Sequence, residues 1–237
     1  MPPSVSFRYS VDAEQEIRRR IQEHGRIAFA EFMDVAQFWP WGGYYSVPGK
    51  IGPSGDFYTA PTAHPAFGAL LCVQAFQMWQ ILGCPQVFWL VEMGAASGLL
   101  CQDIVQYSVN LPGGFSDSLR YVCLDRFPTG DVGTRWATGL EQKAEMIAAQ
   151  GVPLSGITGC FLSNELIDSF PVHLVTAQGG ALKEVYITLE DGDLVEVVDH
   201  PSTSELQERL DSLGIVLPDG AQVEVNLAMG PWIEEVS

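Results

Sequence analysis

Apolar residues run unbroken from Val87 to Val91 and then give way to Glu92-Met93-Gly94-Ala95-Ala96-Ser97-Gly98. Such a run fits a strand buried on both faces. Leu99 to Val105 follows with helical spacing, so the stretch predicts a strand, an acidic tip, a Gly-bounded turn and a helix. Leu119-Arg120-Tyr121-Val122-Cys123-Leu124-Asp125 predicts a second apolar strand with an acid at its tip, and Gly159 to Ser163 a short third one. Around them the spacing predicts helices over Asp12–His24, Glu31–Phe38, a strongly apolar stretch opened by His64-Pro65, Trp136–Gln150, Ser202–Leu213 and the segment from Pro231, most of them closed by a glycine. Between Val172 and Val198 the period changes to alternation, with turn pairs Gly179-Gly180 and Asp191-Gly192, which is antiparallel hairpin material. Gln222 to Asn226 reads as a further short strand. Together these predict an α/β fold, with a central, mainly parallel sheet and a β-hairpin insertion beside it.

The chemistry sits at the predicted strand ends. The first turn has the spacing E-x-G-x-x-x-G, with Ala96 where a middle glycine is expected. Alone it is equally an ordinary β-to-α turn. Gly94 and Gly98 let the backbone approach a ligand, and the amides of the following helix start point at it. A carboxylate at Glu92 repels a pyrophosphate but favours a cationic or hydroxyl-rich ligand. S-adenosylmethionine carries an ammonium, a sulfonium and a ribose diol, and no phosphate. Asp125 stands 27 residues beyond Gly98, on the neighbouring strand, where an acid reaches ribose hydroxyls. Asn164 and Glu165 follow the third strand and are candidates for substrate contact, with Asp168 behind them; helix capping by Asn164 and a surface role for Asp168 stay open. The loop from Pro48 to Pro61 is rich in turn formers yet carries Phe57 and Tyr58, the composition of a lid or of a structural Ω-loop.

Composition narrows the classes. Twelve basic residues against 29 acidic ones give a net charge of −17, which argues against nucleic-acid binding. No apolar run reaches the roughly 18 residues of a membrane span. Met1 to Ser10 lacks the apolar centre of a signal peptide and the arginines of a transit peptide, so a cytoplasmic protein is expected. Five cysteines without a C-x-x-C pair, and four histidines without ligand spacing, predict neither a disulfide frame nor a metal site.

Several motifs then occur together: Phe29-Ala30-Glu31-Phe32-Met33, Tyr44-Tyr45, Gly55-Asp56-Phe57-Tyr58-Thr59-Ala60-Pro61, Val91-Glu92-Met93-Gly94, Asn164-Glu165-Leu166-Ile167-Asp168-Ser169-Phe170-Pro171-Val172-His173 and Glu224-Val225-Asn226. In these the chain resembles the MidA family of S-adenosylmethionine-dependent methyltransferases, which includes a mitochondrial protein arginine methyltransferase. The resemblance implies a Rossmann-like class I methyltransferase sheet with an N-terminal helical and lid segment. It implies S-adenosyl-L-methionine as cofactor, held by Glu92, Gly94, Ala96, Gly98 and Asp125, with Gly55, Asp56, Tyr58 and Thr59 completing the pocket. It also implies a protein substrate, arginine favoured, served by Asn164, Glu165 and Asp168. One domain is expected over 1–237: N-terminal helices and lid loop at 1–64, cofactor-binding core at 65–170, hairpin insertion at 171–200 and remaining core at 201–237. Two departures stand out. The family usually has Pro-Gly-Arg-Gly where this chain has Ala95-Ala96-Ser97-Gly98, and it continues beyond Ser237 through a further strand, so a truncated core is expected. Two rival readings stay open: a family member without activity that acts in binding or assembly, and a nicotinamide-dependent oxidoreductase, which would share the turn and the second acid.

Overall fold

The computed structural model describes residues 11–47, 49–50, 55–56, 59–128 and 143–237. In chain order its helices are α1 (Ala13–His24), α2 (Phe29–Phe38), α3 (Ala60–Ala63), α4 (Ala66–Ile81), α5 (Leu99–Ser108), α6 (Phe115–Ser118), α7 (Glu205–Ser212) and α8 (Met229–Val236). Its strands are β1 (Ile27–Ala28), β2 (Phe88–Met93), β3 (Leu119–Asp125), β4 (Ala144–Ala148), β5 (Gly159–Ser163), β6 (His173–Gln178), β7 (Ala181–Glu190), β8 (Asp193–Asp199) and β9 (Gln222–Val225). The described residues divide into two compact units, one from 1–47 and 169–231, the other from 48–168 and 232–237. No described helix is long and apolar enough to cross a membrane.

The second unit is a parallel sheet in the order β4-β3-β2-β5. The apolar run that predicts β2 is central because both of its faces are covered. On one face Phe88, Leu90, Tyr121 and Cys123 pack against Cys72, Ala75 and Trp79 of α4 and Leu100, Cys101 and Ile104 of α5. On the other, Val91, Met93, Val122 and Leu124 meet Ile147, Phe161, Leu166 and Trp232. Gly68 lets α4 approach α5 closely, since a Cβ there would lie 2.5 Å from Asp103 Cβ. The helix expected over 136–150 is corrected in its final third. Residues 144–148 form β4, paired in register with β3 from Tyr121–Ala144 to Asp125–Ala148; residues 129–142 lie outside the described ones. Ala-Glu-Met-Ile-Ala favours helix by propensity, but a free parallel edge and burial of Ala144 override it.

The first unit is antiparallel. The hairpin expected at 171–200 is present as β6, β7 and β8, and it recruits more of the chain than a hairpin needs. β1 pairs with β7, and β9 pairs with β6. The strand at 222–225, assigned from sequence to the remaining core, therefore belongs to this sheet and not to the parallel one. Its polar centre is Glu184 of β7, fully buried. Its carboxyl lies 2.7 Å from Nδ1 of His173 and accepts from Tyr186 Oη at 3.2 Å and from the Ser202 amide at 2.5 Å. Burial pushes this carboxyl up, but the bonds from His173 and Ser202 more than offset it and hold it below its ordinary value.

Candidate functional site

Register decides where the strand ends lie. Met93 stands beside Leu124 on one side and Ser163 on the other, so Gly94, Asp125 and Asn164 leave the parallel sheet as one row. This is the carboxyl edge, where open α/β sheets bind ligands. Gly94 has φ +79°, and a Cβ there would stand 3.0 Å from Cδ1 of Leu166. Gly98, also at positive φ, opens α5. Four non-glycine residues among those described take positive φ, and two of them, Ala96 and Glu165, stand at this edge. Backbone strain of this kind persists where the surroundings over-determine it, commonly at ligand sites.

Four amides of the turn, those of Gly94, Ala95, Ala96 and Gly98, are already engaged. Gly94 N and Ala95 N both donate to Leu124 O, at 2.9 and 3.2 Å, and Gly98 N donates to Ala95 O at 2.7 Å. Ala96 N donates to Oδ2 of Asp125 at 2.8 Å, and Phe127 N donates to Oδ1 of the same carboxylate at 2.8 Å. Asp125 is expected from sequence to receive ribose hydroxyls. In the structure both of its oxygens accept backbone amides and so hold the turn, and each keeps a further lone pair for a hydroxyl donor. Glu92 is buried on the α5 side of β2 and accepts from Tyr121 Oη at 2.8 Å. Burial pushes its carboxyl up to about 7; the Tyr121 bond pulls it back and the nearby charge of Asp125 adds to the rise.

Asn164 is half-buried, while Glu165 and Asp168 are exposed. Asp168 lies on a short 3₁₀ turn, Ile167–Ser169. The loop residues sit in the same unit. Asp56 pairs with Lys50 at 3.4 Å, and Gly55 is forced by the chain reversal there, since a Cβ would meet Lys50 O at 2.3 Å. Thr59 caps α3 through a reciprocal bond pair with Thr62, and α3 packs on α5, the helix that begins at the turn. Tyr58 lies outside the described residues. Three residues not singled out from the sequence complete the arrangement: Tyr121 behind Glu92, Leu166 over Gly94, and Trp232, whose Nε1 donates to Met93 Sδ at 3.1 Å.

These features fit a phosphate-free cofactor. A pyrophosphate needs free amides converging on it, and those of residues 94, 95, 96 and 98 are committed within the protein. The Asp125 carboxylate behind the turn suits positive charge and hydroxyl donors. Relief of the Ala96 backbone offers a check on the turn. A left-handed alanine costs roughly 1–2 kcal/mol, and glycine returns part of that through the freedom of the unfolded chain. Ala96→Gly is therefore expected to raise the unfolding free energy by up to about 1 kcal/mol, read as an upward shift of the urea midpoint.

Comparison with known proteins agrees with this geometry. Residues 70–237 match the family described as "Putative S-adenosyl-L-methionine-dependent methyltransferase". The mitochondrial protein arginine methyltransferase NDUFAF7 homolog of Drosophila melanogaster is 26% identical over 197 residues, which cover 76% of this chain and 45% of that protein. Its Xenopus tropicalis counterpart is 25% identical over 209 residues, 78% of this chain and 48% of that protein. A COG1565 superfamily member from Burkholderia thailandensis, in a crystal structure bound to S-adenosyl-homocysteine, superimposes with a TM-score of 0.79 at 25% identity, covering 94% of this chain and 58% of that one. The chain thus spans about half the length of the relatives it matches. Since the family match covers well over half of its residues and includes the strand-turn-helix edge, the chain belongs to this family of S-adenosyl-L-methionine-dependent methyltransferases.

Proposed function

We propose that this chain binds S-adenosyl-L-methionine at the edge formed by Gly94–Gly98, Asp125 and Asn164 and serves methyl transfer to a protein side chain, arginine favoured. The observation that carries the reading is the row of Gly94, Asp125 and Asn164 at the carboxyl edge, where the amides of Gly94, Ala95, Ala96 and Gly98 are engaged within the protein and the Asp125 carboxylate stands behind them, which favours a cationic adenosyl ligand over a pyrophosphate. When bound, the cofactor supplies an electrophilic methyl group on its sulfonium. The protein's part is to align the attacking nitrogen and exclude water rather than to act as a strong base. Glu165 is the residue we assign to an arginine acceptor. It is exposed, directly follows Asn164 at the strand exit, and is held at φ +50°. A guanidinium is always charged, and its planar fork matches a carboxylate in two-point contact. Relatives named as protein arginine methyltransferases support the choice of acceptor.

Titration calorimetry is expected to show binding of S-adenosyl-homocysteine and none of comparable strength for NAD; tighter NAD binding would return the oxidoreductase reading. Glu165→Gln is expected to keep that affinity and lose methyl incorporation into an arginine-bearing protein, followed by mass spectrometry. Incorporation at lysine would remove arginine and leave methyl transfer standing. A cytoplasmic site of action belongs to the same proposal, beside relatives whose names place them in mitochondria; cell fractionation separates the two.

A further inference from the structure

The last helix reaches back to β2, the first strand of the parallel sheet. Trp232 of α8 donates from Nε1 to Sδ of Met93 at 3.1 Å, and its ring meets that of Phe161 in β5 edge-on, with centroids 5.8 Å apart. Three residues on, Oε1 of Glu235 accepts from the Val152 amide at 2.7 Å, just beyond β4. One face of α8 therefore touches the end of β2, the middle of β5 and the segment after β4. Met93 is the final residue of β2, and the chain turns at Gly94 immediately after it. A thioether is the most adaptable of apolar side chains and by itself specifies position poorly. A donor aimed at its sulfur removes that freedom, and the indole N–H of the half-buried Trp232 supplies it. Leu166, packed in the same cluster, presses on Gly94.

We propose that Trp232 is a positioning residue for the cofactor turn: by fixing Met93 it fixes where Gly94 leaves the sheet, and so the affinity of the site for its adenosyl ligand. The proposal rests on the cofactor reading above. It assigns to α8 a part in ligand binding that the strand-turn-helix motif does not contain. Trp232→Phe keeps an aromatic ring beside Phe161 and deletes the donor together with part of the indole's area. Met93→Leu keeps the volume and deletes only the acceptor.

The test is calorimetry with S-adenosyl-homocysteine on the wild-type chain, on each single variant, on the double variant and on Glu235→Ala. Each of the first two variants is expected to weaken binding about three- to tenfold, the worth of one modest hydrogen bond. The double variant is expected to bind no worse than the weaker single one, because both remove the same link. Glu235→Ala, which loosens α8 elsewhere, is expected to lower the urea midpoint and leave the affinity unchanged. In ¹⁵N spectra the Trp232 indole resonance, identified by its loss in Trp232→Phe, is expected to shift on ligand addition. Wild-type affinity in Trp232→Phe, additive losses in the double variant, or an equal loss in Glu235→Ala would each overturn the proposal. Should Trp232→Phe fail to fold, Met93→Leu carries the same decision. A wild-type chain that takes up no S-adenosyl-homocysteine removes the cofactor reading as well, which distinguishes the two failures.

Discussion

Asp125→Ala is expected to lower the unfolding free energy of the ligand-free protein by about 2–4 kcal/mol and to weaken S-adenosyl-homocysteine binding by more than about tenfold. The carboxylate accepts the amides of Ala96 and Phe127, at 2.8 Å each. Deleting it strands two backbone donors at a half-buried position, and each stranded donor costs roughly 1–3 kcal/mol unless water reaches it. The Ala96 amide is also what holds that residue in its left-handed conformation, so the turn is expected to relax away from the ligand-binding shape. Asn is not a neutral replacement. Its single acceptor oxygen can serve only one of the two amides, and its NH₂ then faces the other donor. Asp125→Asn is therefore expected to fall between wild type and Asp125→Ala in urea denaturation. An Asp125→Ala protein with the wild-type midpoint would show that the turn holds itself, and would leave Asp125 to the ligand alone.

The second large effect concerns acidity. Burial lifts the Glu92 carboxyl to about 7 in the folded chain, from an ordinary value of 4.5. Below pH 4.5 the group is protonated in both folded and unfolded states, and its contribution is fully present. As pH rises from there toward 7 the unfolded chain loses the proton first, so the folded state binds more protons and stability falls. Above about pH 7 the folded chain must hold a buried carboxylate, and the loss is complete at about 3 kcal/mol. Glu92→Gln carries no ionisable group there. The difference in unfolding free energy between the two proteins is expected to open between pH 5 and 8 in favour of glutamine. Glu184, whose carboxyl is held low, works in the opposite direction at acid pH, which is why the difference between the two proteins is the informative quantity. A flat difference across that range would mean that Glu92 is hydrated or already paired.

What the sequence revealed follows from the range over which each cause acts. β2, the Gly94 turn and α5 were legible because burial on both faces, a required positive φ and helical spacing are local properties of contiguous residues. The common edge of Asp125 and Asn164 was legible too, since parallel neighbours must end together. That Asp125 also holds the turn was not, because those partners are backbone amides, which every residue has and no letter marks. β4 was misread where Ala144-Glu145-Met146-Ile147-Ala148 carries helix propensity and only pairing with β3 makes it a strand. The sheet that β9 joins was not legible, because a short strand does not name its neighbour. Tyr121 and Trp232 gave no motif, and Leu166 was covered by one without its role, as the part of each depends on what lies opposite in space.

That last dependence sets an order of events during synthesis. Trp232 meets Met93 across 139 positions of chain, and Thr188 of β7 closes on the Gly25 carbonyl across 163. Contacts of such high sequence separation form late and slowly. At ribosomal rates the interval between making Met93 and making Trp232 is roughly ten to thirty seconds. Throughout it one face of the β2 end waits for its cover, and Ile17, Ile21 and Ile27 wait in the same way for Ile187 of β7. Neither unit is contiguous in sequence, so neither can mature as a completed N-terminal domain while the rest of the chain is still being made. The nascent protein is accordingly expected to be a chaperone client until translation has passed α8.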